Sequence, residues 1–354
     1  MRLIKMSNKI SIYSLTLTQL ADKLVSLGLK KHNAVQIFEW LYKKNMVEFN
    51  KMTNIAKSSI PILEQHFRIN TLKQISLLID ENDSTTKFLF ELEDHQFVET
   101  VLMKFDYGYS ICISSQVGCN MGCKFCASGL LKKKRDLTPD EMILQYLIVN
   151  QYLQKKNSKS ISNMVIMGIG EPFDNYDNLK SALFIFNDHY GIGLGSRHIT
   201  VSTCGVVPKI EQFGKDFPQI NLAISLHAPN DELRNKLMPI NKAYPISKLM
   251  QSIRNYLGTT NRRISFEYIL LKDINDHDEH IHQLGKLLQG MLCYVNLIVY
   301  NAVDENGYQR STKAKAFIDG LAKYHVMATK RLECGLKINA ACGQLRSQQE
   351  KHNG

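Results

Sequence analysis

Gly118-Cys119-Asn120-Met121-Gly122-Cys123-Lys124-Phe125-Cys126-Ala127-Ser128-Gly129 is the stretch around which the rest of this 354-residue chain is organised. Its thiols, Cys119, Cys123 and Cys126, have the spacing Cys-x3-Cys-x2-Cys. Three thiolates this close grip one soft metal centre from a single loop. Zinc asks for a fourth protein ligand, usually from a second Cys or His pair, and no second pair stands at such spacing in the sequence. Three ligands on a four-iron cube leave one iron open to a small molecule and to chemistry on it. A structural zinc knuckle, or three unrelated thiols, is the plainer alternative, and the loop's context must decide.

Around the loop, the rhythm of the chain is that of an α/β protein. A strand expected at Tyr109–Ser114 feeds the loop. After it, short apolar strands near 164–167, 198–202, 221–226, 264–270, 294–299 and 326–329 alternate with helical patterns near 138–155, 175–189, 245–257, 278–290 and 312–324. Such alternation means a parallel sheet, and six or so units suggest a partial (β/α)6 barrel with reactive groups on loops at strand carboxyl ends. Before the loop, Lys87–Glu93 and Phe97–Met103 alternate about a Glu93-Asp94-His95-Gln96 turn, a hairpin signal. Helices are expected at 14–30, at 33–44 and, weakly, at 55–67, with Trp40, the single tryptophan, read as core. This unit carries Lys30, Lys31, Lys43, Lys44 and Lys51, and is either an RNA-contacting appendage or a solvated lid. The organisation expected is thus a helical accessory domain at 1–80, a β-hairpin extension at 81–110, the barrel with its C-terminal segment at 111–346 and a polar tail at 347–354.

A charged fraction of 22%, a hydrophobic fraction of 44% and a length of 354 describe a globular protein with a sizeable core. Its net charge of +11 favours a polyanionic partner, since basic groups release the counterions of phosphates. The eight cysteines are too sparse for a disulfide framework. Neither a secretory h-region nor a run of eighteen apolar residues is visible. A cytoplasmic location, where thiols stay reduced, is expected.

Several strand ends carry groups suited to a cofactor. One ends in Gly168-Ile169-Gly170-Glu171-Pro172, where glycines admit close approach and a carboxylate can fix an ammonium. Others end in Ser202-Thr203-Cys204-Gly205, in Ser225-Leu226-His227-Ala228-Pro229 and in Val299-Tyr300-Asn301. Each alone reads as a cap or turn, but four at corresponding ends favour a site. His227 is either a general base or a donor that orients a cofactor, with cofactor contact preferred. Cys204 and Cys293 read as buried thiols, and Cys334 has no assigned place. Lys132, Lys133, Lys134 and Arg135 are candidate RNA-backbone contacts, or else a solvated turn.

In order along the chain stand Cys-x3-Cys-x2-Cys, Met-Gly-Ile-Gly-Glu-Pro-Phe, Ile-Thr-Val-Ser-Thr, Ala-Ile-Ser-Leu-His-Ala-Pro-Asn-Asp, Leu-Met-Pro-Ile-Asn, Val-Asn-Leu-Ile and Ala-Ala-Cys-Gly-Gln-Leu. Together, from about residue 15 to residue 346, they resemble the RlmN/Cfr family of radical S-adenosylmethionine (SAM) RNA methyltransferases. The resemblance implies a [4Fe-4S] cluster held by Cys119, Cys123 and Cys126, with SAM at the fourth iron. It implies SAM contacts at Gly170, Glu171, Ser202, Ser225, Leu226, His227 and Asn301. It also implies that Cys342 is methylated, that Cys112 is the thiol that resolves the intermediate, and that Glu99 is the proton acceptor. RlmN-type members methylate C2 of an adenosine at the peptidyl-transferase centre of 23S rRNA and of adenosine 37 in certain tRNAs; Cfr-type members methylate C8 of the same rRNA adenosine and confer antibiotic resistance. Gly-Glu-Pro-Phe-Asp-Asn-Tyr and Ser-Leu-His-Ala-Pro are similar to the RlmN type, so C2 is expected. The implied partners are rRNA, tRNA and an electron donor such as flavodoxin or ferredoxin, with no membrane, and the chain is expected to be a monomer. Lys337-Ile338-Asn339 stands where the family has Asp-Ile-Asp, a change that eases RNA approach or lowers the thiol pKa. Other readings are a radical SAM enzyme acting on a peptide or small molecule, and a non-catalytic, metal-stapled RNA-binding protein.

Overall fold

The computed structural model describes residues 9–157, 159–301, 307–340 and 343–345. The chain divides into two compact units, each drawn from discontinuous segments. The first takes Met1–Lys73, Leu137–Ser160 and Asp177–Gly195; the second takes Gln74–Asp136, Ile161–Tyr176 and Ser196–Gly354. The N-terminal segment of the first unit ends at Lys73, and the segment after the cysteine loop groups with it.

In the first unit, β1 (Ile10–Ser11) pairs in parallel with β2 (Phe67–Arg68). Between them, α1 (Leu17–Ser26) starts at a capping box, with Thr16 Oγ1 accepting from Gln19 N and Gln19 Oε1 from Thr16 N. It stops two residues before Gly28, whose φ of +76° cannot continue a helix. α2 (Asn33–Phe38) runs into one wide π turn at Glu39–Lys43, and α3 (Ile60–His66) carries Pro61 in its first turn, where a missing N–H costs least. Trp40 is not in the core: it is half-buried, its indole donates to Asn54 Oδ1 and the Lys44 ammonium sits 3.7 Å from its ring centroid. The unit also holds α4 (Pro139–Asn157) and nearly all of α5 (Tyr176–Asn187).

The buried Asp140 carboxylate ties this unit together. It accepts from Ser14 Oγ at 2.6 Å and Asn70 Nδ2 at 2.7 Å, groups far apart in sequence. Burial by itself would raise its pKa, but donors on Ser14, Thr138, Asn70 and Ser11 outweigh that and hold it below 3.8. The unfolded chain thus holds this proton more tightly than the native state. The stabilisation is complete above the unfolded value, near pH 4, and is lost as pH falls through the lowered native value. Asp140→Asn, which exchanges charge-assisted bonds for weaker ones, should cost about 1.5–3 kcal/mol at neutral pH. Thermal melts at pH 7 and pH 3 check this: the gap between variant and wild type should narrow in acid.

The second unit is built on one ten-stranded sheet. Its strands are β3 (Lys73–Asp80), β4 (Thr85–Glu91), β5 (Phe97–Phe105), β6 (Gly108–Ile113), β9 (Ile161–Ile166), β10 (Ile199–Thr203), β11 (Asn221–Ser225), β12 (Ile264–Leu270), β13 (Cys293–Val299) and β14 (Ala328–Lys330). The short β7 (Gln116–Val117) and β8 (Arg135–Asp136) pair separately and antiparallel. The order across the large sheet is β14-β13-β12-β11-β10-β9-β6-β5-β4-β3. Seven neighbours, β6 and β9 through β14, are mutually parallel, and each lies at a strand expected from the sequence. The expected hairpin, β4–β5, is no separate extension: β5 pairs antiparallel with β6 and continues the sheet. Every residue of β12 is buried, as a central strand covered on both faces requires. α6 (Val207–Asp216), α7 (Asp231–Leu237), α8 (Ile246–Thr260), α9 (Asp278–Leu288) and α10 (Ala314–Ala322) supply this unit's crossovers. No helix among the described residues is long and apolar enough to cross a membrane.

Candidate active site

The cysteine loop leaves β6 and is closed at its base by β7 and β8, with Lys134 N donating to Val117 O and Cys119 N to Leu131 O. Its glycines are sterically required. A Cβ on Gly118, which has φ +75°, would strike the Lys132 carbonyl, and one on Gly129 would come within 2.7 Å of Cys123 O. Lys133 bridges Asp136 and Asp174 at 2.8 Å each, and Arg135 clamps Asp94. Two of the four basic residues expected to face RNA therefore hold the loop down instead, while Lys132 and Lys134 are exposed.

Cys119, Cys123 and Cys126 line one cavity together with Gly170, Glu171, Ser202, Ser225 and His227. Cys204 lines it too, so a thiol expected to be merely buried is a fourth sulfur in the same space. Leu226 is fully buried and does not line the cavity, so what it offers is backbone: its carbonyl accepts from Arg234 Nε. Asn301 lines a second cavity, shared with Cys112, Cys334, Ala340 and Leu345; Met167, Ile298 and Arg331 wall both. Glu99 lies in neither lining.

Close packing shapes the cofactor side. Gly170 has φ +109°, and a Cβ there would meet Gln116 at 2.6 Å. Gln116 in turn accepts from Glu171 N and donates to Asp136 and Asp174, joining the loop's base to the glycine turn. The Glu171 carboxylate is buried and accepts from Phe173 N at 2.9 Å and Cys204 N at 2.7 Å. Burial raises its pKa, and those two N–H donors act against the rise.

His227 has φ +58°, a left-handed conformation that a non-glycine residue adopts only where its surroundings impose it. Its N–H donates to Glu267 O, and its carbonyl accepts from Asn275 Nδ2 at 2.9 Å. Nδ1 accepts from Ile269 N at 3.0 Å, so the ring proton is on Nε2. Burial, aided by the Arg234 charge, lowers its pKa to about 3. A neutral imidazole with one nitrogen committed to the backbone and the other protonated is a donor, not a base, which favours the cofactor-contact reading.

Glu267 and Arg331 had no signal in the sequence. Glu267 on β12 lines the first cavity and is buried; its Oε1 accepts from Asn296 Nδ2, its Oε2 lacks a hydrogen-bond donor, and Arg331 lies 3.5 Å away. Asn301 Oδ1 is likewise buried without a donor. The Glu267 oxygen without a donor, in the loop's own cavity, suits a ligand that brings ammonium, amine or hydroxyl groups, which SAM has. The thiols suit an iron–sulfur cube. Burial, with Cys126 adding, pushes Cys119 up to about 12, and burial with both neighbouring thiols pushes Cys123 well above 9.0. Bare thiolates are therefore disfavoured here, and a metal centre supplies the positive charge that stabilises them. Among the described residues, no three Cys, His, Asp or Glu converge as a single ion requires; a cube, with one sulfur per iron, needs no such convergence.

Cys342 lies outside the described residues, as does Ala341, while Ala340 and Gly343 on either side are described. Gly343 lines the first cavity and its carbonyl accepts from Ala127 N at 2.7 Å, while Leu345 O accepts from Ser128 Oγ at 2.9 Å. On the other side, Ala340 packs with Cys112, Val101 and Ile169. The departure at Lys337 and Asn339 has a local reason. Lys337 N donates to Asp80 and Gly335 N to Asp83, so carboxylates from the β3–β4 turn face this segment, and Asn339 takes φ +50°, which asparagine tolerates well.

Glu99 on β5 is buried and ion-paired with Lys87 on β4, Nζ to Oε1 at 3.2 Å. Lys87 lies opposite Val101, and Leu89 opposite Glu99, so the pair is a diagonal contact on one face. Lys87 Nζ also donates to Asn339 O at 3.2 Å, three residues before Cys342.

The comparisons agree with this geometry. A model described as the radical SAM superfamily matches residues 113–285, and one described as the ribosomal RNA large subunit methyltransferase N-terminal domain matches 10–69. The chain is 51% identical over 336 residues to a probable dual-specificity RNA methyltransferase RlmN of Malacoplasma penetrans, covering 95% of this chain and 96% of that one. It is 50% identical over 349 residues to the Enterococcus faecalis protein of that name, covering 97% and 98%. A crystal structure of a radical SAM methyltransferase from Sphaerobacter thermophilus superposes with a TM-score of 0.89 at 38% identity, covering 95% of this chain and 99% of the other. The chain belongs to the RlmN family of radical SAM RNA methyltransferases, enzymes that use a [4Fe-4S] cluster and SAM.

Proposed function

We propose that the chain methylates C2 of adenosine in 23S rRNA and at position 37 of tRNA, by way of a methyl group carried on Cys342 and with two SAM molecules used per methyl. The observation that carries this reading is the attachment of the segment around Cys342: one flank is tied to the cysteine loop and the other packs with Cys112. The names of the relatives, dual-specificity RNA methyltransferases, support two RNA classes.

C2 of adenine lies between two ring nitrogens and is electron-poor, so ordinary methyl transfer to it fails. Cys119, Cys123 and Cys126 would hold the cluster, with Glu171 receiving the SAM ammonium and His227, Ser202, Ser225 and Asn301 contacting the rest of SAM. The Cys342 thiolate takes one methyl by displacement. The bound cluster supplies the electron that splits a second SAM into a radical able to remove hydrogen from that methyl. The methylene carbon on Cys342 would then join C2, the adduct's odd electron would return to the cluster that supplied one, and Glu99 would accept the C2 proton. The Cys112 thiolate would attack the Cys342 sulfur, breaking its bond to the methylene carbon, which takes a proton to become the methyl and leaves a Cys112–Cys342 disulfide. The base must leave its stack to reach Cys342, and the surplus of +11 draws in the RNA backbone. The setting is the cytoplasm, with a flavodoxin- or ferredoxin-like reductant and a monomeric enzyme.

The test is anaerobic reconstitution with iron and sulfide, turnover with SAM and reductant, and mass spectrometry of nuclease fragments. Methyl at C2 in both RNA classes is expected. Methyl at C8 would replace this reading with the Cfr-type one. A protein that carries zinc, or that never cleaves SAM, would leave only the metal-stapled RNA-binding reading.

A further inference from the structure

We propose that the Arg234 guanidinium is a built-in counter-charge for the iron–sulfur cluster, one that raises the cluster's reduction potential and couples its loading to the stability of the second unit. The inference rests on the cluster reading given above.

Arg234, on α7, has no exposure to solvent. Burying a charge is costly unless an opposite charge is supplied. Its hydrogen bonds all end on neutral oxygens: Nε to Leu226 O at 3.1 Å, Nη1 to Asn241 Oδ1 at 2.8 Å, and Nη2 to Cys204 O at 2.7 Å and Ser225 O at 3.2 Å. No carboxylate stands at ion-pair distance from it among the described residues. Asp231, the acidic residue that acts on it through space, spends Oδ1 on Asn241 Nδ2 and Ile246 N. The protein thus holds a full positive charge in its interior with hydrogen bonds but without a bonded anion.

The cysteine loop lies against the same segment. Leu237, at the end of α7, accepts from Lys124 N at 2.9 Å. Leu237 and Met238 share an apolar cluster with Phe125 and Cys204, against which Cys123 and Cys126 pack. Cys204, whose carbonyl accepts from Arg234 Nη2, lines the same cavity as Cys119, Cys123 and Cys126. An oxidised four-iron cube of charge 2+ on three thiolates is a monoanion, and reduction adds a second negative charge. A cation fixed beside it in a dry site stabilises both states, the reduced one more. That polarity eases reduction of the cluster by its electron donor and restrains the reduced cluster from giving its electron away.

The experiment compares reconstituted wild type with Arg234→Met, Arg234→Lys and Asp231→Asn, by anaerobic redox titration followed by electron paramagnetic resonance, and by melting with and without the cluster. At one ambient potential the reduced-to-oxidised ratio should fall about tenfold in Arg234→Met, which is 59 mV for a one-electron couple, and stay close to wild type in Arg234→Lys. Asp231→Asn keeps its Oδ1 acceptor and leaves Arg234 in place, so the ratio should rise. Cluster loading should raise the melting temperature of wild type more than that of Arg234→Met. Equal potentials in wild type and Arg234→Met, an equal fall in the Met and Lys variants, or equal melting gains would overturn the proposal. Should Arg234→Met not fold, a ratio in Asp231→Asn that is unchanged or lower overturns it alone. A wild type that takes up no iron and sulfide sinks the cluster reading instead, which the iron assay distinguishes.

Discussion

Cys123→Ala is expected to fold but to hold no intact cluster, and so to lose both SAM cleavage and RNA methylation completely. The side chain removed is one small sulfur in a packed setting with Phe125, Leu237 and Met238, so the cost to the cluster-free fold is about 1 kcal/mol by the loss of one buried group. The cost to the site is different in kind. Buried thiols pushed as high as Cys119 and Cys123 become thiolates only against a metal centre, and two sulfurs from this loop cannot complete the set. The cavity contains a further thiol, Cys204, which makes the sharper comparison. If four sulfurs were needed, as for tetrahedral zinc, Cys204→Ala would fail as badly as Cys123→Ala. If the fourth position is left for SAM, Cys204→Ala keeps its iron, its sulfide and its 5′-deoxyadenosine formation. Metal and sulfide assays with a SAM-cleavage assay on both variants decide it: loss of iron in Cys204→Ala would end the open-iron account.

What the sequence disclosed and what it hid follow from the range of the interactions. The cysteine loop, the glycine turn before Glu171 and the serines at strand ends are local signals, and the parallel register sets them around one cavity. Asn301 and Leu226 came from the same strand-end logic, yet one lines a neighbouring cavity and the other contributes backbone, because a position at a strand end does not say which way its side chain points. β3 was missed because Lys73–Asp80 is largely exposed, so no buried face imposes an alternation. α6 and α7 were missed because they are short, α7 with only Arg234 and Leu237 buried. Arg234 reads in the sequence as an ordinary charge on a helix; only the fold shows four carbonyl and amide oxygens closing on it. Arg135 and Lys133 erred the other way: a basic run suggests a surface for phosphates, whereas Asp94, Asp136 and Asp174 were already there to pair with two of its members.

The Lys87–Glu99 contact is of this long-range kind, and Lys87→Met should be the most damaging single change outside the cavities. Both side chains are almost wholly buried, at 6% and 3% exposure, so solvent offers the carboxylate little relief once the ammonium is gone. Breaking a buried pair by removing one partner costs about 3–5 kcal/mol. The same ammonium donates to Asn339 O, so its loss also frees the approach to Cys342. Two consequences should therefore separate. Stability should fall in Lys87→Met and recover by more than half in Lys87→Met/Glu99→Gln, where the carboxylate's charge is removed along with the ammonium's. Catalysis should not recover in the double variant, because the group proposed to take the C2 proton is gone; protein joined to RNA should accumulate, visible as a shifted band on a denaturing gel. Full methylation by Lys87→Met/Glu99→Gln would remove Glu99 from the chemistry and leave the pair as part of the sheet alone. An unchanged melting temperature in Lys87→Met would mean that the carboxylate finds another donor, and that this contact does not hold the segment leading to Cys342.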